Sequence, residues 1–133
     1  MAHRFGFPRT SRLTQGWQFD LAFRTGRRIQ GELVRLLFLE APDGMTRIGV
    51  AVGKRQGKAV VRSRGRRVLR EAARRLLPWI RPGYWFVLTL SGQALQSGAR
   101  PVYEDLACLL QARGFLDGSF PGPDWTPWEE DRG

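Results

Sequence analysis

The chain has 133 residues, enough for one domain with a single hydrophobic core. Its 22 Lys and Arg residues outnumber its 12 Asp and Glu residues, and the formal net charge of +10 indicates a polyanionic partner. A nucleic acid is the first candidate and an anionic membrane the second. One cysteine, Cys108, and one histidine, His3, exclude a disulfide, a zinc cluster and a Cys/His or Ser/His catalytic pair within one chain.

Composition sets three further expectations. Cys108 lies among leucines, and we expect it to be a small buried apolar residue. No apolar signal-peptide core and no stretch of roughly 18 apolar residues is present, so we expect a cytoplasmic protein. Only Lys54 and Lys58 are lysines; the arginine excess fits bidentate phosphate binding, but a GC-rich genome would also inflate arginine, and both explanations stay open.

The N-terminal part predicts an arm followed by a helix. Residues 1–12 lack periodicity, and we expect a basic arm that is extended or poorly ordered when alone. Apolar residues then recur at helical spacing as far as Gly26, which predicts a helix over about residues 14–25. We expect Trp17 within it to be core or to support the helix. The other apolar residues of this helix are Phe19, Leu21 and Phe23.

Three apolar runs predict strands. Leu33–Leu39 and Ile48–Val52 flank the turn formed by Ala41, Pro42, Asp43 and Gly44, and together they predict a β-hairpin. Tyr84–Leu90 is aromatic and β-branched, which is typical of a further strand.

Two more helices complete the predicted order. An apolar stripe within Gly57–Leu77 stops at Pro78, and Val102–Arg113 ends at Gly114. The predicted order is therefore α-β-β-α-β-α, a mixed α/β fold.

The chain divides by composition into a domain over residues 1–114 and a tail over residues 115–133. The tail is rich in proline and glycine, and its five carboxylates and one arginine give a charge of −4. We expect the tail to be disordered or to dock only loosely through Trp125 and Trp128. We also expect its acidic residues to compete weakly with RNA for the basic surface.

The most informative segment covers residues 54–75 and has the sequence KRQGKAVVRSRGRRVLREAARR. Ten of its 22 residues are basic and only Glu71 is acidic. At 100° per residue the apolar stripe occupies one side of the helix, and arginines occupy the opposite arc. Like charges at i, i+4 destabilise a helix by roughly a few tenths of a kcal/mol per pair. This pattern therefore favours a partner whose phosphates lie between the arginines. The arginines on this arc are Arg62, Arg66, Arg67, Arg70 and Arg74.

Two segments resemble the bacterial ribonuclease P protein family. Residues 47–76, RIGVAVGKRQGKAVVRSRGRRVLREAARRL, resemble the family's strand, Gly-Lys turn and Arg-Asn-Arg helix, and the motif falls on Arg62, Ser63 and Arg64. Residues 12–28, RLTQGWQFDLAFRTGRR, resemble its opening helix. Serine replaces the motif's asparagine, and Leu37 stands where an aromatic residue often lies in the family.

The resemblance implies a fold, a function and a division of the site. It implies an α/β sandwich with a left-handed βαβ crossover. The protein would bind a catalytic RNA and the 5′ leader of precursor tRNA, and so assist leader removal. Hydrolysis would be carried by the RNA with Mg²⁺ that the RNA mainly binds, and we assign no catalytic residue to the protein. The implied RNA-binding residues are Lys54, Arg55, Lys58, Arg62, Ser63, Arg64, Arg66, Arg67 and Arg70, and the leader-binding residues are Phe19, Phe23 and Leu37.

Two alternatives belong to other functional classes. A ribosomal or general RNA-binding protein could use the same basic helix without a role in cleavage, and it would lack a preference for leaders. The second alternative is a basic amphipathic helix that lies on an anionic membrane. However, the side of the helix opposite the arginines is not broad and apolar enough for insertion.

Overall fold

The computed structural model describes residues 7–53, 57–123 and 125, and only the backbone at residue 93. This part of the chain contains three helices and four strands, with short 3-10 turns at Arg9–Ser11, Leu77–Trp79 and Gly92–Gln96. The elements are α1 (Gly16–Thr25), β1 (Arg27–Gln30), β2 (Val34–Glu40), β3 (Arg47–Val50), α2 (Ala59–Leu76), β4 (Tyr84–Leu90) and α3 (Ala99–Ala112).

The four strands form one sheet in the order β1-β2-β4-β3. β1 pairs antiparallel with β2, β2 antiparallel with β4, and β3 parallel with β4. The helix α2 therefore lies in the crossover between two neighbouring parallel strands. The mixed α and β fold predicted from the sequence is confirmed, with one strand more than the predicted order contained.

The predicted hairpin between the runs at Leu33–Leu39 and Ile48–Val52 is wrong. The turn between them exists, since the Gly44 N–H donates to the Ala41 carbonyl at 3.1 Å and Gly44 has φ 73°. However, β4 inserts between β2 and β3, and β2 forms its hairpin with β1 instead. A local turn signal cannot reveal that a strand lying some forty residues later in sequence takes the place beside β2.

The two faces of the sheet bury different sets of side chains, because successive strand residues point in opposite directions. One face packs against α2 and α3 through Leu36 and Phe38 of β2 and Phe86 of β4. The other face packs against α1 through Leu37 and Val87. Among the described residues, one short helix covers this second face, and part of the face is open beside α1.

Two residues are more exposed than the sequence suggested. Cys108 is exposed, because Leu106, Ala107 and Leu110 form the inward face of α3 and leave position 108 outside. Our expectation of a buried cysteine was wrong. Trp17 is 59% exposed, although its ring lies on Trp85 with centroids 5.8 Å apart. It supports the docking of α1 but is not a core residue.

The chain continues to pack beyond residue 114. Phe115 and Leu116 are buried in the main core, and Leu116 forms an isolated bridge with Ile80. The ring of Trp125 lies 5.3 Å from that of Tyr103. The packed part of the chain therefore extends past residue 114, whereas Trp128 lies outside the described residues.

The described part of the N-terminal arm is attached to the edge of the sheet. Arg12 forms a parallel bridge with Ile48, and the Leu13 N–H donates to the Ile48 carbonyl at 3.0 Å. Phe7 packs against the main core. Residues 7–12 are thus held beside β3, on the side of the sheet that α2 covers.

Candidate nucleic-acid interface

The helix α2 separates apolar and basic residues as its sequence predicts. Gly65, Leu69 and Ala72 are buried against the sheet and α3. Gly65 lies so close to its neighbours that a β-carbon there would stand 3.3 Å from Val52. This close approach holds the helix against the end of β3 and turns its arginines outward. Arg67 and Arg70 are exposed, and Arg62, Arg66 and Arg74 are half-buried.

One carboxylate offsets part of the charge of the last turn of α2. Glu71 accepts hydrogen bonds from Arg74 at 2.7 Å and from Arg75 at 2.8 Å. Arg75 is only 4% exposed, and its guanidinium lies 3.9 Å from the ring centre of Trp125. The basic surface offered to a partner therefore lies on the earlier turns of the helix. We call this surface the arginine face; it consists of Arg62, Arg66, Arg67 and Arg70.

The Arg-Ser-Arg motif has structural as well as surface roles. The Ser63 hydroxyl accepts a hydrogen bond from Arg66 at 3.1 Å, so it orients a neighbouring arginine. Arg64 donates to the Leu95 carbonyl at 2.9 Å and so ties α2 to the 3-10 turn that follows β4. Arg64 is nevertheless exposed, which leaves part of its guanidinium available to a ligand.

The structure describes two of the other predicted residues of the basic segment, Arg62 and Lys58, and leaves two outside the described part. Arg62 buries its Nε without a hydrogen-bond partner in the described part of the chain. Lys58 is exposed and occupies the N-cap position of α2. Lys54 and Arg55 lie outside the described residues, so their predicted role stays a prediction.

A groove follows one side of α1 across the open face of the sheet. It consists of two adjoining cavities of about 390 and 570 Å³, and both are lined by Phe23, Arg35 and Thr89. We call it the α1 groove. The first cavity adds Leu37 and three residues of β1, which are Arg28, Ile29 and Gln30. The second extends to Gly53 and to Arg66 of α2.

The three predicted leader-binding residues have different positions relative to this groove. Phe23 lines both cavities and is 44% exposed, so a face of its ring is accessible. Leu37 is 4% exposed and lines the first cavity. Phe19 is half-buried against Gly49 and lines neither cavity. The structure brings Phe23 and Leu37 together and places Phe19 beneath the helix.

Our sequence reasoning missed several polar residues of the groove. One feature of the sequence indicated them: Arg35 interrupts an otherwise apolar run. Because successive strand residues point to opposite faces, Arg35 must lie on the face opposite to Leu36. Arg35 pairs with Thr89 across the sheet, and Gln30 pairs with Arg35. Assigning them to one site required the order of the strands.

The α1 groove and the arginine face meet at Arg66. This residue lies on α2 between Arg62 and Arg70, and it also lines the second cavity of the groove. Apolar walls, one accessible aromatic ring and several guanidiniums therefore form one continuous surface. A single-stranded nucleic acid needs this combination, since its bases stack on aromatic rings and its phosphates bind cations.

Other kinds of site find less support. The described residues contain no group of three His, Cys, Asp or Glu side chains that could hold a metal ion. Among the helices in this part of the chain, none is long and apolar enough to cross a membrane.

Comparisons with known proteins point to one family. The sequence model of the Ribonuclease P family matches residues 7–113. The Ribonuclease P protein component of a Picosynechococcus species is 31% identical over 106 residues, which cover 79% of this chain and 91% of that protein.

Solved structures agree with this match. The RNase P protein from Thermotoga maritima is 28% identical, with a TM-score of 0.67 over 80% of this chain and 98% of that one. The Staphylococcus aureus RNase P protein has a TM-score of 0.69 over the same shares, and at 17% identity it supports the fold alone.

Proposed function

The chain belongs to the Ribonuclease P protein family, and from that premise we propose that it binds a catalytic RNA and the 5′ leader of precursor tRNA and assists removal of the leader. The observation that carries the proposal is the continuity of the α1 groove with the arginine face at Arg66. One surface suits a single strand and the other suits a folded RNA, so the protein can contact both at once.

The arginine face is the proposed contact with the catalytic RNA. Arg67 and Arg70 are exposed and have no carboxylate partner among the described residues, whereas Arg74 and Arg75 share Glu71. Each phosphate neutralised by such a side chain releases counterions, which makes binding tight at low salt and weaker at high salt. Lys58, Ser63 and Arg64 extend this contact to the start of α2.

The α1 groove is the proposed contact with the leader. Phe23 offers a ring for base stacking, which is worth about 1–3 kcal/mol per base in single-strand binding. Leu37 gives the first cavity an apolar lining, and Arg28, Arg35 and Arg66 provide cations along the path of the strand. Phe19 supports the position of α1 and acts on the leader indirectly.

We assign the hydrolysis to the RNA and Mg²⁺ bound to it. The protein's contribution is binding energy and charge: its guanidiniums reduce the repulsion between two RNAs and hold the leader in place. Mg²⁺, the catalytic RNA and the precursor tRNA are therefore the proposed cofactor and partners. The cytoplasm is the proposed compartment, where tRNA precursors are processed.

Leader-dependent affinity tests the proposal against a general RNA-binding role. We would measure the Kd of the RNA subunit for precursor tRNA and for mature tRNA, each with and without the protein. We expect the protein to tighten precursor binding much more than mature tRNA binding. An equal gain for both tRNAs would favour a ribosomal or general RNA-binding protein.

A further inference from the structure

Arg12 lies beside the edge strand β3 on the side of the sheet that α2 covers, and Arg66 and Arg70 lie one turn apart on α2. Arg12 is fixed by the bridge of its backbone to Ile48. Its Nε donates to the Phe7 carbonyl at 2.9 Å, and its guanidinium lies 5.0 Å from the centre of the Phe7 ring. Arg12 is therefore held toward α2 by the described part of the arm.

Arg66 and Arg70 lie on neighbouring turns of α2, and Arg66 lines the cavity at the end of β3. The pKa of Arg70 lies below its ordinary value because partial burial and the positive charges of Arg12 and Arg66 all disfavour its protonated form. In the part of the chain that the structure describes, none of the three forms an ion pair with a carboxylate. The last turn of the same helix differs, since Arg74 and Arg75 there both pair with Glu71.

Repulsion within a cluster of like charges lowers the stability of the free protein. An anion that binds the cluster removes this repulsion and so stabilises the protein. Guanidiniums donate to phosphate oxygens in a fixed planar geometry, and several can share one phosphate. Arg66 also lines the α1 groove, so the cluster lies where the groove reaches the arginine face.

We propose that Arg12, Arg66 and Arg70 together bind one RNA phosphate at this junction. The inference rests on the proposed function and adds Arg12, which couples the N-terminal segment to the RNA. The phosphate belongs either to the leader or to the catalytic RNA. The shared chemistry is a phosphodiester group that accepts hydrogen bonds from guanidiniums of both segments.

A double-mutant cycle tests whether the residues share one phosphate. The variants are Arg12→Gln, Arg70→Gln and both together, and the controls are Arg9→Gln in the same segment and Arg100→Gln on α3. We expect each single variant to weaken binding of precursor tRNA by the holoenzyme about tenfold. The double variant should lose much less than the product of the two losses. Multiplicative losses, or losses no larger than those of the controls, would overturn the proposal.

Leader length distinguishes the two sources of the phosphate. If the variants' loss of binding disappears with a precursor tRNA that has a minimal leader, the phosphate belongs to the leader. If the loss of binding persists, the phosphate belongs to the catalytic RNA. Both outcomes support the shared site.

The melting temperature of the free Arg70→Gln variant should be equal to or above that of the wild type, because a repulsive charge is gone. A lower melting temperature would contradict the cluster. If the wild-type protein itself binds neither RNA, the proposed function fails instead.

Discussion

The ring of Phe19 lies on the backbone of Gly49, so that a β-carbon at Gly49 would stand 2.7 Å from two ring carbons of Phe19. This contact sets the height of α1 above the sheet and hence the shape of the α1 groove. The groove depends on a residue that does not line it.

The Gly49→Ala substitution should destabilise the protein and alter the groove. The added methyl group must displace Phe19, and overpacking of this kind costs about 1–3 kcal/mol. Chemical denaturation would measure the loss. Gly16→Ala is the matched control, since a β-carbon at Gly16 meets nothing within 4 Å. Equal stability of the two variants would show that Phe19 can move away freely.

Phe19→Ala and Phe23→Ala should separate stability from leader binding. Phe23 is 44% exposed and lines the groove, so its loss should weaken precursor binding by about 1–3 kcal/mol and spare mature tRNA. Phe19 packs beneath α1, so its loss should lower the free energy of unfolding more than the loss of Phe23 does. Thermal denaturation and precursor titrations would measure both effects. A larger leader effect for Phe19 would reverse this assignment.

The salt dependence of RNA binding should identify the arginines that meet phosphates. Arg62→Ala or Arg66→Ala should each lower the slope of log K against log salt by about 0.7–0.9. Arg74→Ala should lower it less, because Arg74 is already paired with Glu71 and is less available to a phosphate. Titrations of the catalytic RNA at several salt concentrations would give the slopes. The same slope change in all three variants would mean that only total charge matters.

Acid should weaken the loop between β2 and β3 through Asp43. Desolvation raises the pKa of Asp43, but the hydrogen bonds from the Met45 amide, Arg47 and Trp85 together outweigh it and hold the pKa below its ordinary value of 3.8. The carboxylate therefore contributes stability that is present above about pH 4 and is lost as the pH falls through the lowered pKa. The Trp85 indole N–H resonance should report this loss on acid titration. Asp43→Asn should remove that dependence, and an unchanged titration in the variant would contradict it.

Removing residues 126–133 should increase non-specific RNA affinity at low salt. The truncation takes away three carboxylates and one arginine, so the net charge rises by two units. It keeps Trp125, Phe115 and Leu116, which pack on the body of the protein. Filter binding to an unrelated RNA would measure the change. Unchanged affinity would mean that the acidic residues do not compete with RNA.

Local patterns predicted the elements better than their arrangement. The run Tyr84–Leu90 is a strand with the predicted ends, and α2 follows its apolar stripe. The hairpin prediction failed because pairing with β4 depends on contacts between distant parts of the chain. The short strand β1 was missed because its sequence, RRIQ, has only one apolar residue.

The site was predictable where charge alone determines it. Ten basic residues in one segment indicated α2 as a polyanion surface, and the structure keeps most of its arginines outward. The pairing of Arg75 with Trp125 was not predictable, since it joins a helix to a segment fifty residues later. Which of Phe19 and Phe23 is accessible depends on the rotation of α1 against the sheet, and helical spacing treats both alike.

Cleavage of a 5′-leader precursor tRNA by a bacterial ribonuclease P RNA at low Mg²⁺, with and without this protein, tests the central claim most directly. We predict accurate cleavage only when RNA and protein are both present, and none with the protein alone. Binding of both RNAs without any stimulation of cleavage would contradict the account.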